Sequence, residues 1–132
     1  MKPLAIWLAG FVVVFGAFAL ITNSTRGTDR VFVVVDSSFS MTPVWNRVPA
    51  ELDALDDERF TEFALATEKN LVHTWSSGLS LAGINPFAPC GFGRIEGYPE
   101  FAEADELVLI TTEGSCETQS LAGDWTVIKL SP

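Results

Sequence analysis

The feature that most limits the fold of this chain is an apolar segment at its amino terminus. Residues 3–22, PLAIWLAGFVVVFGAFALIT, form a run of 20 residues without a charged side chain. A helix of about 20 such residues is long enough to cross the hydrocarbon core of a bilayer. The segment is either a signal anchor that stays in the membrane or a signal peptide cleaved after the small-x-small run at 17–19. Because the apolar run continues unbroken through Leu20 and Ile21, the sequence favours the anchor.

The rest of the chain reads as a linker and one domain. After the anchor at 1–22, residues 23–30, NSTRGTDR, are polar, and residues 31–132 are long enough for a single domain. The basic residues beside the anchor are nearly balanced, so they do not fix its orientation. Cys90 and Cys116 both follow the apolar segment, which predicts a disulfide in an oxidising compartment, the alternative being two unpaired buried thiols. We therefore expect the domain to lie on the extracytoplasmic side of the cell membrane.

The charge balance limits the choice of partners. The chain has 17 acidic and 8 basic residues and a formal net charge of −9. Phosphate binding needs a basic face, so this composition argues against a nucleic-acid partner. It is compatible with cation binding.

Apolar runs and helical spacings predict an α/β fold. Unbroken β-branched and apolar runs predict strands that are covered on both faces, as in a parallel sheet. We expect three such strands to be central and parallel: Val31–Val35, Leu107–Thr111 and Thr126–Leu130. Residues 59–75 predict a hairpin that turns at 68–70. The result is a small, open, mostly parallel Rossmann-like sheet with an edge hairpin, preceded by one transmembrane helix.

The segments between the strands are less regular. Residues 42–55 predict an amphipathic helix that begins at Thr42-Pro43, and Pro49 either kinks this helix or delays its start. Residues 76–97 contain five glycines and two prolines and predict a long loop, and residues 99–106 predict about two helical turns.

The first strand ends in an acidic residue followed by hydroxyls. In DSSFS, Asp36, Ser38 and Ser40 alternate, so their side chains point the same way in an extended or turning loop. A carboxylate and two hydroxyls are hard oxygen ligands that suit Mg²⁺, Mn²⁺ or Ca²⁺, and a cation would offset the desolvation of the buried carboxylate. Alternatively, the three residues only cap the following helix and bind loop amides.

The stretch VFVVVDSSFSM resembles the first strand and D-x-S-x-S motif of von Willebrand factor A-type (vWA) domains. ELVLITTEG at 106–114 is similar to the family's central strand, which ends in Thr-Asp-Gly, so Glu113 stands where the family has an aspartate. The resemblance implies a metal-ion-dependent adhesion site whose ligands here are Asp36, Ser38, Ser40 and Glu113, with Mg²⁺, Mn²⁺ or Ca²⁺ as the cation. The family's middle-loop threonine has no match, and Ser76, Ser77 and Ser80 are the stand-ins that we considered.

The resemblance implies a non-enzymatic function. The domain would bind an unidentified protein partner, whose acidic residue completes the coordination of the cation. One alternative is a metal-free envelope scaffold in which the site is degenerate. Another is a haloacid dehalogenase-like phosphatase, but the D-x-D motif of those enzymes has Ser38 here at its second acidic position.

Overall fold

The helices and strands follow the order expected for one N-terminal apolar helix and an α/β domain. The computed structural model describes residues 2–25, 28–58, 61–81, 83–87, 89–113, 115 and 121–132. The helices are α1 (Lys2–Thr25), α2 (Val48–Asp56) and α3 (Pro99–Glu103). The strands are β1 (Asp29–Val35), β2 (Thr61–Thr67), β3 (Leu71–Ser76), β4 (Glu106–Thr112) and β5 (Trp125–Leu130). Two 3₁₀ helices span Phe39–Arg47 and Ile95–Gly97.

Helix α1 contains the apolar segment. Its window Pro3–Leu20 is long and apolar enough to cross a membrane, with a mean hydropathy of 2.3, and no part of that window is buried against the rest of the protein. A core helix of a soluble protein would be mostly covered. The prediction of one N-terminal apolar helix is confirmed.

The five strands form one mostly parallel sheet in the order β3-β2-β1-β4-β5. Strand β1 pairs in parallel with β2 and β4, β4 pairs in parallel with β5, and only β3 is antiparallel. The predicted hairpin is present, with β3 at one edge. The prediction that the last strand is central was wrong, because β5 forms the opposite edge. Its exposed Thr126 and Lys129 interrupt the apolar run, as in a strand with only partly covered faces.

Strand β1 lies at the centre of the core and is buried on both faces. Val31, Val33 and Val35 pack on one face against residues of the first 3₁₀ helix and α2. Phe32 and Val34 pack on the other face against a cluster that includes residues from the 92–104 segment. Alternate residues of a strand point to opposite faces, so an apolar run fills both layers.

The helices begin and end at positions that the prolines explain. A 3₁₀ helix occupies Phe39–Arg47, so the expectation of an α-helix from Thr42 was wrong. The alternative, that Pro49 delays the start of the helix, is confirmed, because α2 begins at Val48. Pro49 lies in the first turn of α2. A backbone N–H in that turn has no carbonyl partner within the helix, so a proline there costs no hydrogen bond. Helix α3 is only five residues long, shorter than predicted, and ends where Ala104 is extended.

The four parallel strands end at the same edge of the sheet, which we call the carboxyl edge. Val35 is paired with Thr67 of β2 and with Ile110 of β4. The residues that follow, Asp36, Glu68 and Thr111, are therefore side by side. This register brings together segments that are far apart in the sequence.

Candidate functional site

The side chain of Asp36 is fully buried at the carboxyl edge. Its own N–H donates to the carbonyl of Ile110 over 2.8 Å, which continues the pairing of β1 with β4. Oδ1 accepts a 2.9 Å hydrogen bond from the backbone N–H of Ser38. Oδ2 accepts hydrogen bonds from the hydroxyls of Thr111, at 2.8 Å, and Ser115. The carboxylate is thus held by neutral donors on two segments.

Three serine hydroxyls form a group that reaches this carboxylate through Ser115. The Oγ atoms of Ser38 and Ser40 are 2.7 Å apart, as their alternation in the sequence predicts. Ser40 donates to Ser115 Oγ over 3.1 Å, and the Oγ atoms of Ser38 and Ser115 are 3.5 Å apart. We call Asp36 with these three serines and Thr111 the Asp36 cluster.

The predicted ligand Glu113 and the stand-in Ser76 do not join the Asp36 cluster in the described structure. Glu113 follows β4 at the same edge, but its side chain is exposed and no hydrogen bond among the described residues connects it to the cluster. Its role as a ligand stays a prediction. Ser76 pairs with Phe63 near the start of β2, because β3 runs antiparallel. It therefore lies at the opposite edge and does not replace the missing threonine ligand.

A second buried carboxylate lies beside the first. Glu68 Oε2 accepts a 2.8 Å hydrogen bond from the backbone N–H of Ser37, and both carboxylate oxygens are close to the Ser37 hydroxyl. Lys69 forms a salt bridge with Glu68 and donates to Ser37 O at 3.1 Å and to Ser37 Oγ at 3.0 Å. From the sequence, Glu68 and Lys69 were expected only to form the turn of a hairpin.

The two carboxylates differ in their counter-charges. Glu68 is neutralised by Lys69, whereas no basic side chain in the described parts of the chain forms a salt bridge with Asp36. A buried carboxylate is costly unless it is hydrogen-bonded and its charge is offset. The Asp36 cluster is therefore the place at this edge where a bound cation would relieve the larger electrostatic cost.

The spacing of the hydroxyl oxygens in the cluster is that of ordinary hydrogen bonds and is also compatible with a hard cation. Neighbouring oxygens around a six-coordinate Mg²⁺ lie about 3 Å apart, given Mg–O distances near 2.1 Å. The hydroxyl separations of 2.7, 3.1 and 3.5 Å fall around this value. In the described ranges no three His, Cys, Asp or Glu side chains form a metal-binding group. The candidate donors of the Asp36 cluster are one carboxylate and several hydroxyls, so the cluster is not a group of that kind.

The loop that contains Cys90 lies next to the cluster. Ser115 Oγ is 3.6 Å from Cys90 Sγ. Cys90 is not a free thiol. Its predicted disulfide partner Cys116 lies outside the described residues, so this pairing stays a prediction.

Comparisons of the chain with protein-family models, with curated proteins and with solved structures found no match.

Proposed function

We propose that this chain is a membrane-anchored interaction domain that binds a partner protein through a divalent cation at Asp36, Ser38 and Ser40. The observation that carries the proposal is the burial of the Asp36 carboxylate, which has neutral hydrogen-bond donors but no basic partner in the described chain. A cation would supply the missing positive charge.

The resemblance to vWA domains supports the same site. Its two parts, DSSFS after β1 and TTEG at the end of β4, follow strands that are neighbours in the sheet. Thr111, from the second part, and Ser115, which follows that part in the chain, donate hydrogen bonds to Asp36, from the first. The segments that contain the two parts are thus in contact at Asp36.

The residues of the cluster have separate roles in this proposal. Thr111 and the Ser38 N–H orient the carboxylate of Asp36. Ser38 and Ser40 present their hydroxyl oxygens to the same point. A bound Mg²⁺, Mn²⁺ or Ca²⁺ would supply the positive charge that lets a carboxylate of the partner approach the carboxylate of Asp36.

We place the carboxyl edge on the side of the domain that faces away from the membrane. Helix α1 ends at Thr25 and β1 begins at Asp29, so the chain enters the sheet at the amino edge. Strand β1 then runs toward Asp36 at the other end. With the domain on the extracytoplasmic side, the edge of the sheet that holds the cluster faces that compartment.

The test is the thermal stability of the full chain in detergent micelles. A cation at 100 times its dissociation constant adds about 2.7 kcal/mol, which raises the unfolding temperature of a small domain by several degrees. We expect this rise with at least one of Mg²⁺, Mn²⁺ and Ca²⁺ relative to EDTA. Asp36→Asn should abolish it, whereas Asp53→Asn, at an exposed position of α2, should retain it. A wild-type chain that responds to none of the three ions contradicts the proposal.

A metal-free envelope scaffold is the second candidate. It is favoured by the fact that both oxygens of Asp36 already accept hydrogen bonds, so the loop is satisfied without an ion. In that case no cation changes the unfolding temperature, while Asp36→Asn still lowers it. If the chain is a phosphatase instead, it should hydrolyse a phosphate ester, and Asp36→Asn should abolish that activity.

A further inference from the structure

Two large apolar side chains are exposed beside the DSSFS loop. Phe39, which lies between Ser38 and Ser40, is 64% exposed, and Phe87 is 49% exposed. The backbone N–H of Phe87 donates to the carbonyl of Ser37 over 2.8 Å, so both rings are attached to this one loop. Apart from α1, the only other large hydrophobic side chain that is exposed in the described chain is Leu71 on β3. Exposed aromatic residues are enriched at protein–protein interfaces.

A groove opens next to the Phe87 ring. It is a cavity of about 490 Å³ whose lining includes Lys69, Phe87, Pro89 and Arg94, and we call it the Phe87 groove. The Lys69 Nζ atom lies 4.5 Å from the centroid of the Phe87 ring. The same lysine donates to Ser37 O, and Ser37 is next to Asp36 in the chain, so one lining residue of the groove contacts the loop that begins the cluster.

The charge of the Phe87 groove is opposite to that of the chain. The chain has a net charge of −9, yet two of its eight basic residues line this cavity. Lys69 is matched by Glu68, whereas Arg94 is exposed and forms no salt bridge with any residue that the structure describes. The Arg94 guanidinium is therefore available for a carboxylate from outside.

We infer that the Phe87 groove docks an acidic segment of the partner protein that also has apolar side chains. A carboxylate of this segment pairs with Arg94, and its apolar side chains cover Phe39 and Phe87. The inference rests on the proposed function, because it assigns the groove to the same partner whose other carboxylate approaches the Asp36 cluster. A protein segment fits better than a free anion, because a free anion would leave both aromatic rings exposed.

The test uses the full chain in lipid nanodiscs with Mg²⁺ and a phage library of random linear peptides. We expect the enriched peptides to combine Asp or Glu with aromatic or aliphatic residues. Phe39→Ser, Phe87→Ser and Arg94→Glu should each weaken the strongest peptide by about tenfold, the effect of removing an interface anchor. All three positions are exposed or partly exposed, and an unchanged unfolding temperature will verify that each variant is folded.

Matched controls come from exposed residues elsewhere in the domain. Leu71→Ser removes an exposed apolar side chain from β3, and Lys129→Glu reverses an exposed charge on β5. Both should leave peptide binding unchanged. The inference is overturned if no peptide is enriched, if the enriched peptides are not acidic, or if the groove variants have no more effect than these controls. Enrichment of peptides copied from this chain, with self-association lost in Arg94→Glu, would overturn it in favour of a second copy.

The inference and the proposed function fail in different ways. If EDTA and Asp36→Asn abolish peptide binding while the three groove variants bind normally, the cation proposal stands and the groove inference is wrong. If the groove variants lose binding while EDTA has no effect, the groove is a docking site and the cation proposal is wrong.

Discussion

The hydroxyl of Thr111 donates a 2.8 Å hydrogen bond to Oδ2 of Asp36, and both side chains are buried. The two residues are 75 positions apart in the chain and meet because Val35 of β1 pairs with Ile110 of β4. The orientation of the carboxylate therefore depends on the pairing of two strands as well as on its own loop.

Removing this hydrogen bond should destabilise the domain. We expect Thr111→Val to lower the free energy of unfolding by about 1.5–3 kcal/mol, because a buried carboxylate loses one of its donors at nearly constant side-chain volume. Thr126→Val on β5 is the control, since Thr126 is exposed, and its effect should stay within about 0.5 kcal/mol. Urea denaturation followed by tryptophan fluorescence measures both. Equal effects of the two variants would show that the Thr111 contact adds nothing.

Loss of Lys69 and loss of Glu68 should lower the free energy of unfolding by different amounts. Lys69→Met leaves the fully buried Glu68 carboxylate without its cation, and we expect a loss of about 3 kcal/mol in the free energy of unfolding. Glu68→Gln should cost less, because the Lys69 side chain is 17% exposed and can be hydrated. The double variant should lose less than the sum of the two single variants. A strictly additive double variant, in the same denaturation assay, would mean that the pair is not coupled.

The central strands could be predicted from the sequence because their residue pattern matches their burial. VFVVV of β1 is apolar at every position, and β1 has paired strands on both sides and packed layers on both faces. The pattern of β5 misled the prediction, because WTVIKL contains as many apolar residues as an internal strand of that length. The interior place of β2 was also missed, since Ala64 and Ala66 are small and give a weak hydrophobic signal although they are fully buried.

Only part of the candidate site could be predicted from the sequence, because some of its contacts are local and others join distant segments. Asp36, Ser38 and Ser40 are close in sequence, so the bond from the Ser38 N–H to Asp36 and the contact between the two serine hydroxyls are local. Ser115 is 79 residues away from Asp36, and no local pattern connects them. Glu68 read as a turn residue, and its position next to Asp36 follows only once β2 is known to pair in parallel with β1. Long-range pairing, which a single sequence does not encode locally, decides these contacts.

Gly123, just before β5, should not tolerate a side chain. Its φ is +99°, and a Cβ there would lie 2.9 Å from Cδ1 of Leu107. We expect Gly123→Ala to cost about 1–2 kcal/mol in the free energy of unfolding, chiefly from backbone strain, with a smaller contribution from the displaced end of the Leu107 side chain. Gly83 has a φ of +83° and no atom within 4 Å of its Cβ position, so Gly83→Ala should cost only the backbone part, about 1 kcal/mol. If the two variants are equally stable, the Leu107 contact has no cost.

Tyr98 should titrate at a higher pH than an ordinary tyrosine. Burial raises the pKa of its hydroxyl above the usual 10.0, Arg94 lowers it and Glu68 raises it, with burial the largest effect. Because the folded pKa is the higher one, this contribution to stability is complete below about pH 10 and is lost as the pH rises through the folded pKa. Tyr98 is the only tyrosine in the chain, so ultraviolet absorbance of the phenolate reports it directly.

Two variants test this titration. Arg94→Gln should move the Tyr98 midpoint to still higher pH, because a neighbouring positive charge that favours the phenolate is removed. Lys129→Gln, on the far edge strand, is the control and should leave the midpoint unchanged. A wild-type midpoint at or below 10.0 would contradict the assigned effect of burial.

The anchor interpretation predicts that the chain stays with membranes under alkaline carbonate extraction. Arginines at Val12 and Val13, in the middle of the apolar window, should together raise the free energy of insertion by about 5–7 kcal/mol and release part of the chain. Arginines at Pro3 and Thr22 are the matched control. Near the ends of the segment their charges reach the interface, so the membrane-bound fraction should be retained.

Intact mass separates an anchor from a cleaved signal peptide, which the extraction alone does not. An anchor leaves the chain at about its full mass of 14.3 kDa, whereas cleavage after Ala19 removes most of α1. We expect the full mass in the membrane fraction, because the apolar run continues past Ala19 through Leu20 and Ile21 without a break. A shortened chain recovered in the soluble extract would show instead that the domain is released. The Asp36 cluster would then act without a fixed position relative to the membrane.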